Sequence, residues 1–224
     1  MRWQLDETAL DLFARRPARG FLTGLACIDA PVRTSDTDDA HAGGYVPRQV
    51  VELAGGPGSP APVLLLHAMA AFLARDVIEP QDATDDDPAR VILFDHECFV
   101  TPSALAHVIS SKLLAAIPND TERRKQTQLL LQRVKVFRCR DTLEWVATLN
   151  HSHFELLDAP PAPLLVAINT IGSFSAVDRM MAKSVGNGLA LIDQPFLTLQ
   201  QFIQQHTPIV FAVRETPGAT ADDA

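Results

Sequence analysis

Continuously apolar runs alternate with helical patterns along most of this chain, and that alternation limits its folds more than any other feature. "QVVELA" (49–54), "RVILFD" (90–95), "VKVFRC" (134–139), the run at 164–169 in "APPAPLLVAINTI" and "TPIVFAVRE" (207–215) read as strands. Between them lie apolar-periodic helical stretches at 62–76, 101–117 and 195–206, a polar helix in "DTERRKQTQLLLQR", and a helix over 141–157. Thr101 before Pro102, and Asp141 with Glu144, are helix-start signals. Strands buried on both faces belong to a parallel sheet covered by helices on each side, so the expected class is α/β with at least five mostly parallel strands. "GFLTGLACIDAPV" reads as a loop or short extended segment, and "LDETALDLFARR" (5–16) as a helix with an apolar stripe of Leu5, Ala9, Leu12 and Phe13.

With 224 residues, 47% of them hydrophobic and 21% charged, the chain suits one globular domain. No uninterrupted apolar stretch reaches ~18–20 residues, so no transmembrane helix is expected, and the N-terminus does not read as a secretory signal. Cys27, Cys98 and Cys139 are far apart and odd in number, which favours a reducing compartment over a disulfide framework or a metal site. A net charge of −8 excludes a protein that grips nucleic acid by bulk charge. The acids cluster in 33–44 and 80–89, which read as solvated loops.

In a parallel sheet the ligand mouth lies beyond the carboxyl ends of the strands. The first such mouth is "VVELAGGPGSPAPVLLLHAMA" (50–70), placed as a phosphate-binding loop would be. That loop requires G-x-x-x-x-G-K-[ST], with backbone amides cradling phosphates, a lysine on the outer phosphates and a hydroxyl on magnesium. Counted from Gly55, through Gly58 and Ser59, this sequence has Pro60, Ala61 and Pro62 where glycine, lysine and hydroxyl belong. Proline also removes amide donors. No lysine occurs before Lys112. The chemistry of an ATP site is missing from the loop.

"FLTGLACIDA" (21–30), the glycine loop, "VILFDHECF" (91–99) and "PLLVAINTIGSF" (163–174) follow one another in the order seen in RecA-type recombinases. From about residue 21 to 215 the chain resembles that family, and most of all its short eukaryotic recombinase paralogues, which start directly with the core. The resemblance implies a RecA-like core over 21–215 and a partner-docking role for the segment before it (1–20), whose apolar stripe could equally close the chain's own core; the last residues (216–224) read as a disordered tail. It places Glu97 where the family keeps the glutamate that orients the attacking water. It places Asn169 where a magnesium-associated aspartate ends the fourth strand, and an amide lacks the charge a hard cation prefers. The expectation is a pseudo-ATPase with no catalytic residues, no bound cofactor and no metal. It would be a structural subunit, in the nucleus, of a heteromeric recombinase-paralogue complex that assists filament assembly in homologous-recombination repair. Two other readings stay open: an ATP-binding subunit of a composite inter-subunit site, and a pseudo-ATPase of another assembly such as Elongator.

Seven of the nineteen basic residues, including Arg123, Arg124 and Lys125, fall within 123–140. They could neutralise DNA phosphates, form a solvated face or meet an acidic partner. Residues 175–190, with Arg179 and Lys183, read as a flexible segment where the family's DNA-contacting loops occur. His96 beside Asp95 and Glu97 does not make a metal set, because adjacent strand residues face opposite ways. His151 and His153 read as surface residues.

Overall fold

The computed structural model describes residues 20–33, 43–79, 88–160, 162–185 and 189–216, with the backbone alone for 33, 182–185 and 189–192. The helix expected at 5–16, most of the two acidic segments, the side chain of Lys183 and the tail from 217 lie outside them. In chain order the elements are α1 (Ala26–Arg33), β1 (Val50–Gly55), α2 (Ala61–Ile78), β2 (Arg90–Asp95), α3 (Pro102–Leu113), α4 (Asp120–Leu131), β3 (Val134–Phe137), α5 (Thr142–Leu157), β4 (Leu164–Asn169), α6 (Ser175–Val185), α7 (Leu189–His206) and β5 (Ile209–Glu215).

The fold is α/β. One five-stranded sheet, ordered β1-β5-β4-β2-β3, has every pairing parallel and is flanked by helices, consistent with a RecA-like core. The central strands β2, β4 and β5 are largely apolar because successive side chains enter two different cores, while the edge strands β1 and β3 carry the exposed Glu52 and Lys135. Val91, Leu93, Leu165, Ala167 and Phe211 pack with α2 and α3, while Ile92, Phe94, Val166, Ile168 and Val210 pack with α5 and α7.

Helix starts follow the cap signals. Thr101 accepts from the Ala104 amide at 3.2 Å ahead of Pro102. Asn119 accepts from the Thr121 and Glu122 amides. Asp141 accepts from the Glu144 amide at 2.8 Å, and the Glu144 carboxylate reaches back to the Arg140 amide.

Three expectations change. Ala26–Arg33 is a helix rather than a loop, because Asp29 folds back to accept from the Thr23 amide, the Thr23 hydroxyl and the Gly24 amide. Lys112 of α3 donates to the Thr23 carbonyl at 3.0 Å, so this small knot also ties the segment to the core. Residues 175–185 are helical, and the next helix begins at Leu189, with Pro195 inside it. Finally, α2 is long and apolar enough by length and composition to cross a membrane. Its residues from Leu65 to Ala74 are mostly buried between the sheet and α3, the position of a core helix.

Candidate functional site: the carboxyl mouth of the sheet

Four connections leave the carboxyl ends of parallel strands on one side of the molecule: 56–60 after β1, 96–101 after β2, 138–141 after β3 and 170–174 after β4. With neighbouring strands about 4.8 Å apart, the β1 turn lies two strand spacings, roughly 10 Å, from the end of β4.

The β1 turn keeps the shape of a strand-to-helix loop. Gly58 has φ of 75°, a conformation that favours glycine. The Ser59 amide donates to the Gly56 carbonyl at 3.0 Å, closing the turn on itself. Gly55 is needed for a different reason: a Cβ there would sit 2.2 Å from the Ser59 Oγ. Pro60 is the N-cap of α2, without a side-chain cap bond, and Pro62 lies in its first turn. Pro57, Pro60 and Pro62 supply no N–H. Ala61, at the lysine position, is buried against the core. The turn therefore offers few free donors and no cation to a phosphate group.

The ends of β2 and β4 are different. Asp95 and Asn169 are register partners on adjacent strands, and both are fully buried. The Asn169 amide donates to Asp95 Oδ1 at 2.9 Å. The same carboxylate accepts from the Phe99 amide at 3.0 Å and the Val100 amide at 2.9 Å, with the Arg138 guanidinium 4.0 Å away. Asp95 is thus the acceptor around which the β2–α3 turn is wound, assisted by Cys98 at φ 55°. A buried carboxylate with three donors needs no cation to stabilise it. Asn169 Oδ1 is buried and has no partner among the described residues.

β2 ends at Asp95, so His96 and Glu97 lie on a turn rather than on a strand. His96 inserts among Phe94, Trp145 and Phe174, its ring centroid 4.8 Å from that of Phe174. Burial lowers its pKa, opposed more weakly by the nearby Cys139 backbone and by Asp95 and Glu144. The Cys139 backbone is close enough to favour the charged ring, yet neither ring nitrogen makes a hydrogen bond of good geometry. Glu97 is exposed, and among the described residues a 3.5 Å contact with the Ser173 hydroxyl is its one side-chain hydrogen bond. That hydroxyl also donates to the carbonyl of Thr170, whose φ is 64°. Glu97 and Asn169 therefore share the mouth, while the turn carrying Gly55, Gly58, Ser59, Pro60, Ala61 and Pro62 flanks it across β5.

The basic residues do not form one open stripe. The Arg123 side chain is 12% exposed and donates to Ser110, to the Ile117 and Pro118 carbonyls and to Asp120. Arg124 pairs with Asp120 at 2.9 Å, Lys135 with Glu155 at 2.7 Å and Arg140 with Glu144 at 3.2 Å. Lys125 is exposed on α4, and Arg179 on α6 donates to the Ser175 carbonyl at 3.0 Å. Arg123 is a clamp for the α3–α4 connection, a role its neighbours in sequence do not reveal.

His151 is exposed, 3.6 Å from Glu155. His153, expected on the surface, is instead partly buried, its Nδ1 2.8 Å from Nε2 of His206 on α7. Burial and the neighbouring His153 lower the His206 pKa. Among the described residues, no three His, Cys, Asp or Glu side chains gather as a metal set.

Compared with known protein-family models and with curated proteins, the chain matches none.

Proposed function

We propose that this chain is a non-catalytic structural subunit of a recombinase-paralogue complex, one that supports homologous-recombination DNA repair in the nucleus by promoting recombinase filament assembly. The observation that carries the reading is the chemistry of the mouth. A RecA-like sheet with helices on both sides surrounds polar groups already committed to one another: Asn169 to Asp95, Asp95 to two turn amides, and the Ser59 amide to its own turn. Among the described residues such a site offers no lysine and no arginine free to meet a phosphate group, the charge that phosphoryl transfer depends on. Partner paralogues would supply ATP binding, and DNA would be met through the assembled complex. The exposed Glu97 supports a second reading, in which this chain lends an acid to an ATP site formed with a neighbour.

Affinity purification of the tagged full chain, followed by titration with fluorescent ATP, tests the proposal. Recombinase paralogues should co-purify, and the isolated chain should leave nucleotide polarisation unchanged. Recovery of Elongator subunits instead would overturn the assembly assignment. Nucleotide bound by the isolated chain would overturn the non-catalytic one. In the purified complex, nucleotide binding that disappears with Glu97→Ala would establish the composite site.

A further inference from the structure

The opposite end of the sheet is built differently. β1 is an edge strand: β5 pairs with one side of it, and no described residue pairs with the other. The Gln49 and Gly55 carbonyls accept from β5-side amides, so by alternation Val50, Glu52 and Ala54 aim their N–H and C=O groups outward. Helix α7 covers β4 and β5 but stops short of β1. Val210 is buried beneath it, while its register partner Val50 is 57% exposed. The step between them is a groove of about 440 Å³ lined by Val50, Phe196, Leu199 and Ile203, with Arg48 and Gln204 at its end.

Arg48 also lines a second, polar cavity of about 590 Å³ at the amino ends of the strands, with Arg90, Gln204, Gln205 and Thr207. Among the described residues no carboxylate lines this cavity, and neither arginine makes an ion pair or side-chain hydrogen bond. Most other arginines of the described chain do, which sets this pair apart in a protein of net charge −8. The C-terminal ends of α5 and α7 face the same space and bring roughly half a negative charge each. Among the described residues that line the cavity, two guanidinium groups exceed that by about one unit, the charge of a single carboxylate. Arg48 and Thr207 both hold left-handed backbone, with φ of 71° and 50°, and the Arg48 amide donates to the Pro208 carbonyl.

We propose that the outer edge of β1 and its groove receive an extended peptide segment of a partner protein, apolar at alternate residues and carrying one carboxylate that enters the cavity between Arg48 and Arg90. The outward groups of Val50, Glu52 and Ala54 hydrogen-bond the added strand. Its inward side chains, every second residue, fill the groove against Phe196, Leu199 and Ile203. Beyond the amino end of β1 the segment turns under the sheet and places its acid between the two guanidinium groups.

The test uses the full chain alone, so its outcome is independent of the recombinase-paralogue reading. An unbiased dodecapeptide display selection against the immobilised protein should enrich sequences with apolar residues two apart followed by an acid. Synthetic copies should bind at least tenfold more weakly to the Arg48→Gln/Arg90→Gln protein, whose thermal midpoint is checked against the parent. They should also slow hydrogen exchange at the outward amides of Glu52 and Ala54. An empty selection, a consensus without an acid, or binding unchanged in the double variant overturns the proposal. Exchange protection confined to α7 overturns the strand-addition geometry.

Discussion

The turn after β1 and the paired ends of β2 and β4 belong to one mouth, and their polar groups are arranged in different ways. At the turn, donors are few: Gly55 and Gly58 allow the bend, and three prolines with Ala61 occupy places where a phosphate loop has amides and a cation. At the strand ends the polar groups remain and are turned inward, Asn169 onto Asp95 and Asp95 onto the Phe99 and Val100 amides. A turn can lose chemistry at little cost because its residues are mostly exposed. Buried polar groups cannot simply be abandoned, since each left unpaired costs about 1–3 kcal/mol. Here the Asp95 carboxylate and the Asn169 amide nitrogen satisfy each other, while Asn169 Oδ1 has no partner among the described residues.

Removing the hub of the buried half should separate the two most strongly. Asp95→Ala strands two turn amides and the Asn169 side chain at a fully buried position, and stability by urea unfolding should fall by about 3 kcal/mol. A loss under about 1 kcal/mol would show that the β2–α3 turn is held by something else. Asn169→Asp keeps the volume and replaces a donor with a second carboxylate against Asp95. It should cost about 2 kcal/mol at neutral pH, and the deficit should shrink as the pair takes up a shared proton in acid. An equal deficit at pH 7 and pH 5 would mean the two groups do not interact as a pair.

His96 gives a gentler handle on the same region. Its folded pKa is lowered by burial, so below about pH 6.5 the unfolded chain binds more protons than the folded one. The associated stability is present above that pH and is lost as pH falls through the folded pKa. His96→Phe, which preserves the contacts with Trp145 and Phe174, should flatten the acid slope and leave the share due to His206. An unchanged slope would assign the acid sensitivity elsewhere. At the other half, Pro60→Ala should change stability by no more than about 1 kcal/mol, chiefly through the freedom of the unfolded chain. A larger loss would mean that the β1 turn, too, is structurally committed.

Much of this architecture was legible in advance because strand burial and helix capping are local or periodic signals. β2 and β4 were placed at their observed ends, since Arg90 and Asn169 bracket uninterrupted apolar runs. The failures have a common cause. Asp29 stabilises α1 through Thr23 and Gly24, acting across a fold-back that periodicity does not register. His153 meets His206 across 53 positions, and Asn169 meets Asp95 across 74. The charges in 123–140 look alike in a line, yet Arg123 caps a connection while Lys135 and Arg140 pair with α5.

By itself, then, the order of residues determined the layered parallel sheet, the position of its mouth and the presence of Ala61 and Pro62 where a phosphate loop has lysine and hydroxyl. These follow from period-two burial, cap chemistry and side-chain identity, all properties of short stretches. Only the tertiary structure decided that Asp95 is a buried hub, that the basic run is divided among separate ion pairs, and that, among the described residues, the outer edge of β1 is unpaired and the arginines at the amino ends of β1 and β2 have no ion pair. Those facts depend on which strands become neighbours and how far each helix reaches, and neither is set until the whole chain has packed.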